Sequence, residues 1–287
     1  MRISRGAAVL DPRHLFRFLR LLGIAVVAAG IWGTVIEPGL LMIREVAVDS
    51  GNWPDGRNPL RIAVISDLHV GAPSVKLDNV DEMIDGINAL DPQLIVLLGD
   101  FVFPEMPWGQ FVEPGLIADR LRRLEAPLGV VAVLGNHDWL YDGAKVRKAL
   151  ERVGIIVLEN DAVSMEDATG RFWVAGVADE ISRSPNPVGT VADIPADEPI
   201  ILLSHDPAVF SDIPRRVALT LAGHTHGGQI HLPFVGPLTT MSRAPLRHAH
   251  GLVHEDGKTM YVTSGIGTSI LPVRFNMPPE IVLITLR

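Results

Sequence analysis

Seven residues of the kinds that bind metal ions lie in five short motifs, and each motif directly follows an apolar run. In chain order the motifs read D-L-H, G-D, G-N-H-D, S-H and G-H-T-H. The candidate ligands in them are Asp67, His69, Asp100, Asn136, His205, His224 and His226. Neutral imidazole and carboxylate groups suit Zn, Fe and Mn. The residue types therefore predict a metal site assembled from several turns.

The spacing inside the motifs allows one loop to supply two ligands. Asp67 and His69 are separated by one residue, and so are His224 and His226. Residues i and i+2 of an extended segment point to the same side, so both can reach one ion. Asp100 stands alone after a strongly apolar run, and we expect its carboxylate to bridge two ions. Two ions ~3.5–4 Å apart would polarise phosphoryl oxygens and activate water, without a protein nucleophile.

The elements that must position these motifs follow an α/β pattern from Leu60 onward, where short β-rich apolar runs alternate with amphipathic stretches. R-I-A-V-I-S, L-I-V-L-L and V-V-A-V-L predict early strands, and P-I-I-L-L-S, V-A-L-T-L-A and I-V-L-I-T-L predict later ones. Two helices between the early strands are predicted by apolar residues at helical spacing: Val80, Met83, Ile84, Ile87 and Leu90 in the first, and Leu116, Ile117, Leu121 and Leu124 in the second. Asp256-Gly257 predicts a hairpin turn. We expect an α/β fold of two packed, mixed β-sheets flanked by helices.

All five motifs are placed at the ends of predicted strands. Ligands of open α/β sheets bind in the crevice outside the carboxyl ends of the strands. Side chains that are far apart in sequence can therefore converge at one edge of the fold.

The ordered series resembles the calcineurin-like metallophosphoesterases, whose signature runs D-x-H, G-D, G-N-H-D/E, H and G-H-x-H. The resemblance extends from about residue 60 to residue 287 and implies a four-layer sandwich with two metal ions, of Mn, Fe or Zn. It assigns the candidate ligands to these ions as follows: Asp67, His69 and His226 to the first, Asn136, His205 and His224 to the second, and Asp100 to both.

The same resemblance implies catalytic roles for two residues that are not ligands. His137 would face the phosphate, where it could stabilise the transition state or protonate the leaving oxygen. Asp138 would orient His137, although an Asp at this place can instead cap the following helix. Arg274 is a further candidate for binding phosphate. Three aromatic residues after Asp100 could contact an acyl chain or pack onto the body: Phe103, Trp108 and Phe111.

The amino terminus has the character of a membrane-directed segment. An arginine cluster precedes the uncharged stretch L-L-G-I-A-V-V-A-A-G-I-W-G-T-V-I, which is slightly shorter than the ~20 residues that cross a bilayer. We expect a signal anchor over residues 1–43 and a catalytic domain over residues 44–287. A cleaved signal peptide and a buried core helix are the alternatives, the former because Ala28, Ala29 and Gly30 are small. The positive-inside rule keeps the arginines cytoplasmic and places the rest of the chain outside the cytoplasm.

Two further segments resemble the membrane-associated bacterial branch of the same superfamily. They are G-G-Q after His226 and the ending G-I-G-T-S-I-L-P-V-R-F-N-M-P-P-E-I. The resemblance implies a protein of the bacterial inner membrane with a single-pass anchor.

Composition excludes other classes of function. The net charge of −8 leaves an acidic body once the basic amino terminus is set aside, which argues against nucleic acid as a partner. The chain has no cysteine, so thiol nucleophiles and disulfides are excluded. We find no P-loop lysine, H-E-x-x-H motif or nucleophile-elbow serine.

These observations predict a metal-dependent phosphoric ester hydrolase. Its substrate would be a phosphomonoester or phosphodiester on a small molecule, a lipid or another component of the cell envelope. One alternative is a UDP-diacylglucosamine-type pyrophosphatase of lipid A synthesis, which needs a site facing the cytosol. Another is a catalytically silent binding or scaffold protein, which the complete set of ligands disfavours.

Overall fold

The computed structural model describes residues 12–103 and 107–287. Part of the expected basic segment, residues 1–11, lies outside the described residues, and so do residues 104–106 of the loop after Asp100. The helices are α1 (Pro12–Ile31), α2 (Leu77–Asn88), α3 (Pro114–Leu121), α4 (Asn136–Tyr141), α5 (Gly143–Glu151) and α6 (Pro187–Thr190).

Two mixed sheets of six strands each form the body of the described chain. In spatial order the first sheet comprises β1 (Met42–Val48), β14 (Glu280–Leu286), β2 (Leu60–Ile65), β3 (Leu94–Leu97), β4 (Val130–Ala132) and β5 (Ile156–Val157). The second comprises β12 (Gly251–Glu255), β13 (Lys258–Val262), β9 (Leu219–Ala222), β8 (Ile200–Leu203), β7 (Gly170–Gly176) and β6 (Asp161–Asp167). A two-stranded ribbon, β10 (His231–Leu232) with β11 (Gly236–Pro237), lies outside both sheets.

Alternation along the strands divides the core into layers. In β2, Ile62 and Val64 belong to the cluster shared by the two sheets, whereas Ala63 and Ile65 belong to the cluster that includes α2 and α3. Successive side chains of a strand point to opposite faces, so a strand covered on both sides reads as a continuous apolar run. The expected α/β fold of two packed, mixed sheets flanked by helices is confirmed.

The expected elements differ from the observed ones in detail. Strand β1 was not expected, because M-I-R-E-V-A-V mixes charged with apolar residues; it pairs in parallel with β14 at the edge of the first sheet. It begins at Met42, so the expected boundary between residues 43 and 44 falls inside it. Helix α3 buries Ile117 and Leu121, while Leu116, expected on the same apolar face, is exposed. The Asp256-Gly257 turn joins β12 to β13 as expected.

The amino-terminal helix is not part of the core. None of the residues of α1 is buried, so the alternative of a buried core helix is wrong. The helical segment Pro12–Gly39 has 28 residues and is long and apolar enough to cross a membrane. A signal sequence near the amino terminus would meet the same criterion.

Candidate metal centre

The candidate ligands converge at one edge of the two sheets. The first sheet supplies Asp67 and His69 after β2, Asp100 after β3 and Asn136 at the start of α4. The second supplies His205 after β8, and His224 and His226 after β9. Within each sheet these strands run parallel, which brings their carboxyl ends to the same side. All of these residues are buried except Asn136, which is half-buried.

Asp100 connects two groups of potential ligands. Nε2 of His205 lies 3.3 Å from Oδ2 of Asp100, and Nε2 of His69 lies 3.5 Å from the same oxygen. Nε2 of His226 lies 3.5 Å from Oδ1 of Asp67. The ligand atoms of Asp67, His69 and His226 lie within 4.8 Å of one another, and those of Asp100, His205 and His224 do the same.

Backbone amides hold both carboxylates with one oxygen turned toward the cluster. Oδ2 of Asp67 accepts a hydrogen bond from the amide of His224 at 3.0 Å. Oδ1 of Asp100 accepts one from the amide of His137 at 2.8 Å. The other oxygen of each carboxylate therefore remains for a cation.

The four candidate histidine ligands each use one ring nitrogen to contact a backbone carbonyl. A carbonyl oxygen only accepts, so that ring nitrogen carries the proton and the opposite nitrogen presents a lone pair to the cluster. The contacts are His69 Nδ1 to Val102 O at 3.2 Å, His205 Nδ1 to Leu98 O at 2.7 Å, His226 Nδ1 to Gly267 O at 3.2 Å and His224 Nε2 to Met241 O at 3.0 Å.

When the four imidazoles are neutral, the inward-facing atoms are all hydrogen-bond acceptors. Nε2 of His205 lies 3.1 Å from Oδ1 of Asn136 and 3.1 Å from Nδ1 of His224. Nε2 of His69 and Oδ1 of Asp67 are buried without a hydrogen-bond partner. Buried acceptors that approach one another in this way need a cation among them. As metal ligands, the imidazole nitrogens, the carboxylate oxygens and the amide oxygen fit ions of the Zn, Fe or Mn type.

Protonation states also suit metal binding. Burial lowers the pKa of His69 to about 4 and the pKa of His226 to about 3, so both imidazoles are neutral at neutral pH. Burial acts to raise the pKa of Asp100, but the neighbouring charges of His205 and His137 outweigh it and hold that pKa well below its usual value. Burial also acts to lower the pKa of His205, but the charge of Asp100 outweighs it and raises that pKa well above its usual value. The site therefore presents neutral His69 and His226 beside an ionised Asp100, and a cation would take the place of the proton on His205.

Left-handed backbone is concentrated at the ligands. Such conformations are rare for residues other than glycine and gather at functional sites. The ligands with positive φ are Asp67 at 54°, His69 at 42°, Asp100 at 56°, His224 at 64° and His226 at 48°.

Close backbone approach explains two glycines of the motifs. A Cβ on Gly135 would lie 2.2 Å from Oδ1 of Asp100, and one on Gly223 would lie 1.9 Å from Oγ of Ser66. Neither distance is possible for a real side chain, so the ligand turns require glycine at both positions.

Asp138 contacts backbone rather than the ring of His137. Its carboxylate accepts hydrogen bonds from four amides: Gly135 at 3.0 Å, Asp100 at 2.8 Å, Phe101 at 2.9 Å and Val102 at 3.3 Å. Burial and the charge of Asp100 raise the pKa of Asp138 to about 7. Nδ1 of His137 has no hydrogen-bond partner. The carboxylate of Asp138 thus connects the loop after β3 to the start of α4.

His137 stands at the border of the cluster. Its Nε2 lies 4.0 Å from Oδ2 of Asp100 and 3.4 Å from Oγ of Ser269, and its ring meets the ring of His69 edge to face. Ser269 was not among the residues predicted from the sequence. Its place in the polar interruption G-T-S of an otherwise apolar ending was the available signal.

The expectation that Arg274 binds phosphate is wrong. The side chain is fully buried, and its guanidinium donates hydrogen bonds to the carbonyls of Ser264, Gly265, Gly267 and Met277. The carbonyl of Gly267 also contacts Nδ1 of His226. Arg274 therefore supports the segment that carries a ligand contact, and its charge is directed into the protein.

The aromatic residues after Asp100 take different positions. Phe103 is buried with its ring centre 6.2 Å from that of His69, and Phe111 packs against Tyr141. Trp108 is partly exposed. Of the three, Trp108 has the most surface left for a ligand.

The fold and the order of the ligand motifs match a known family. A family model described as Calcineurin-like phosphoesterase matches residues 60–228, more than half of the chain. The chain belongs to this family. With a buried His/Asp cluster that is intact at the described positions, this calcineurin-like phosphoesterase is a metal-dependent phosphoric ester hydrolase, and the cluster is consistent with two metal ions.

Curated relatives of this phosphoesterase cover nearly all of it. It is 32% identical to an uncharacterized metallophosphoesterase, YkuE, of Bacillus subtilis, over 92% of each chain. It is 28% identical to an uncharacterized metallophosphoesterase of Aquifex aeolicus, over 88% of this chain and 94% of that one. It is also 28% identical to a protein of Danio rerio named "Transmembrane protein with metallophosphoesterase domain", over 99% of this chain and 66% of that one.

Proposed function

We propose that this protein uses two metal ions to hydrolyse a phosphomonoester or phosphodiester carried by a lipid or another component of the cell envelope. The observation that carries the proposal is the position of Asp100, whose Oδ2 is approached by His69 from one ligand group and His205 from the other. When bound, the ions would polarise the phosphoryl oxygens and activate water.

The proposed ligand roles follow the two groups of side chains. Asp67, His69 and His226 would hold one ion, Asn136, His205 and His224 would hold the second, and Asp100 would be shared by both. In support, the protein fixes the tautomer of each histidine through a backbone carbonyl, so binding requires no rearrangement of the rings.

The proposed role of His137 is to contact the phosphate directly. Its side chain is only partly buried beside Asp100, so a substrate can reach it. It would stabilise the transition state or protonate the leaving oxygen. Asp138 is the positioning residue that holds the G-N-H turn against the loop of Asp100.

We further propose that residues 1–43 form a single-pass signal anchor in a bacterial inner membrane. The catalytic domain, residues 44–287, would then lie outside the cytoplasm, with strand β1 crossing the boundary. The exposed apolar helix and the preceding arginines support this placement. Reporter fusions to the carboxyl terminus test it. A cytoplasmic carboxyl terminus would contradict it and favour the pyrophosphatase of lipid A synthesis, and an amino terminus sequenced beyond residue 30 would show a cleaved signal peptide.

The phosphoesterase proposal is tested with full-length protein in detergent, loaded with manganese. Aryl phosphate monoesters, aryl phosphodiesters, pyrophosphates and phospholipids form the substrate panel. We expect cleavage of at least one ester, strong loss of turnover in His137→Ala with metal content retained, and loss of one ion in Asn136→Ala. Absence of cleavage together with unchanged metal content in Asn136→Ala would favour the binding-protein alternative.

A further inference from the structure

An exposed apolar hairpin follows the last metal ligand within a few residues. Strands β10 and β11 are joined by a tip in which Phe234 is fully exposed and Val235 is largely exposed. Leu232 and Leu238, at the two sides of the hairpin, are also exposed. Four large apolar side chains on one short ribbon form a surface that water does not favour.

The backbone at the tip keeps the phenylalanine outward. Phe234 has a φ of 65°, in the left-handed region that bulky residues rarely adopt, and the amide of Val235 donates a hydrogen bond to the carbonyl of Leu232 at 3.1 Å. Such a conformation costs on the order of 1–3 kcal/mol and persists where it serves a purpose. Neither the strain nor the exposure of Phe234 is compensated by a contact within the described chain.

The hairpin lies beside the end of the apolar helix. A cavity of about 350 Å³ is lined by Trp32, Leu40 and Met42 from the helix end and by Pro233 and Phe275 from the hairpin side. Phe234 directly follows Pro233 in the chain. The exposed tip and the end of the helix are therefore neighbours on one surface.

Hydrogen bonds fix this end of the helix to the catalytic domain. The amide of Arg274 donates to the carbonyl of Gly33 at 2.8 Å, and the amide of Met277 donates to Oε1 of Glu37 at 2.5 Å. A Cβ on Gly33 would lie 3.1 Å from the carbonyl oxygen of Arg274, so the helix backbone is in close contact there. The direction in which the helix leaves the domain is thus set by these contacts.

The hairpin is also joined to the metal centre. The amide of His231 donates to the carbonyl of Phe275 at 2.8 Å, and the amide of Phe275 donates to the carbonyl of Gln229 at 2.9 Å. Oε1 of Gln229 accepts from the amide of Ser269 at 2.6 Å, and Ser269 contacts His137. A short chain of contacts therefore connects the exposed tip with the border of the candidate site.

We infer that the hairpin of residues 231–238 docks into the lipid bilayer beside the anchor and holds the metal centre close to the membrane surface. This inference rests on the proposed function, because it takes α1 to be a membrane anchor. Lipid is the occupant that continuity favours: a helix that leaves a bilayer at Trp32 places Pro233 and Phe234 at the level of the headgroups. Trp side chains such as that of Trp32 are enriched at that level, and exposed Phe and Leu side chains beside an anchor add to membrane binding. A docked hairpin would favour substrates whose phosphate lies at the headgroup level.

The absence of cysteine from the chain allows a direct test. Phe234→Cys and a control, Val188→Cys on α6, each introduce a single thiol at an exposed apolar position. Both full-length variants are labelled with an environment-sensitive fluorophore and reconstituted into vesicles of phosphatidylethanolamine and phosphatidylglycerol. Quenching by doxyl-labelled phospholipid reports contact with lipid, and quenching by iodide reports contact with water.

We expect quenching by doxyl lipid to be about three-fold stronger at position 234 than at position 188, and quenching by iodide to follow the opposite order. Equal iodide quenching at both positions would overturn the inference. A label at position 234 that neither quencher reaches would also overturn it, and would show that protein, such as a second copy of the chain, covers the tip.

Turnover of a soluble aryl phosphodiester is measured on the same labelled samples. Activity with a water-exposed label would reject docking and leave the phosphoesterase function intact. Lipid contact without turnover of any ester in the panel would reject the phosphoesterase function and leave docking intact.

Discussion

Two regions of the molecule contain groups without partners, but the groups are of opposite kinds. They are polar atoms at the metal centre and apolar side chains at the anchor junction, the surface where the hairpin of residues 231–238 lies beside the end of the apolar helix. At the metal centre, Nε2 of His69 and Oδ1 of Asp67 are buried polar atoms without a hydrogen-bond partner. At the junction, Phe234 and Val235 are apolar side chains in the open. Each arrangement is unfavourable in the isolated chain. The buried acceptors are consistent with bound cations, and for the exposed apolar tip we have proposed lipid.

Arg274 joins the two regions. Its guanidinium bonds to the carbonyl of Gly267, which contacts the ligand His226, and its amide bonds to the carbonyl of Gly33 at the end of the apolar helix. The regions therefore share one structural segment, residues 263–277, although their surfaces have opposite character.

The largest effect is expected from Asp100→Asn, which removes the charge shared by both ligand groups. We expect turnover of an aryl phosphate ester to fall by roughly a thousand-fold, corresponding to about 4 kcal/mol of transition-state stabilisation. Steady-state kinetics with metal in excess measures it. Asp197→Asn, at an exposed position, is the control and should leave turnover unchanged. Equal activity of Asp100→Asn and the control would show that Asp100 is not part of the catalytic site.

Arg274→Met is expected to destabilise the fold by about 3–5 kcal/mol, because several buried carbonyls lose a charged donor. Thermal unfolding followed by circular dichroism measures the change. Arg247→Met is the matched control, since Arg247 pairs with Glu255 at the surface and such pairs contribute little. If the two variants unfolded at the same temperature, Arg274 would not be the link between the regions.

Glu280 is a buried carboxylate outside the metal centre whose hydrogen bonds all come from the protein. It therefore serves as a comparison for the carboxylates of the metal centre. Although burial acts to raise its pKa, hydrogen bonds from His250, Arg44 and the amide of Ser264 lower it to about 2. A folded pKa below the unfolded one stabilises the protein above pH 4.5, and this stabilisation is lost as the pH falls from about 4.5 to about 2. Glu280→Gln should therefore cost about 2–3 kcal/mol at neutral pH and flatten the pH dependence in that window.

Unfolding of Glu280→Gln and wild type at several pH values tests this contrast. Added metal should not restore the variant, because its loss lies outside the metal centre. Restoration of the lost stability by manganese would contradict the separation of the two kinds of buried carboxylate.

The smallest effect is expected from Ser269→Ala. Loss of the contact with His137 should lower kcat a few-fold, by about 1 kcal/mol, and leave KM unchanged. Ser269→Thr keeps the hydroxyl and should recover most of the turnover. A change in KM alone, or no recovery in Ser269→Thr, would indicate that Ser269 does not position His137.

The motifs could be predicted from the sequence because each ligand type follows a run that reads clearly as a strand. At these motifs the local sequence pattern and the position of each ligand in the fold agree. For Arg274 they did not agree: the sequence shows a cation between Val273 and Phe275, but the carbonyls that surround its side chain meet only when the segment after β13 folds back.

Strand β1 was missed because the adjacent charges of Arg44 and Glu45 interrupt its apolar residues, so the segment has neither the alternation nor the apolar run that predicts a strand. Pro233 and Gly236 favour a turn at the hairpin tip, but no residue pattern in the sequence predicts that the side chain of Phe234 in this turn is exposed.

Anomalous diffraction from crystals of the metal-loaded protein tests the central claim most directly. We expect two anomalous peaks, one beside Asp67, His69 and His226 and the other beside Asn136, His205 and His224, with the carboxylate of Asp100 between them. A single peak, or none, at this position in a preparation that hydrolyses phosphate esters would contradict it.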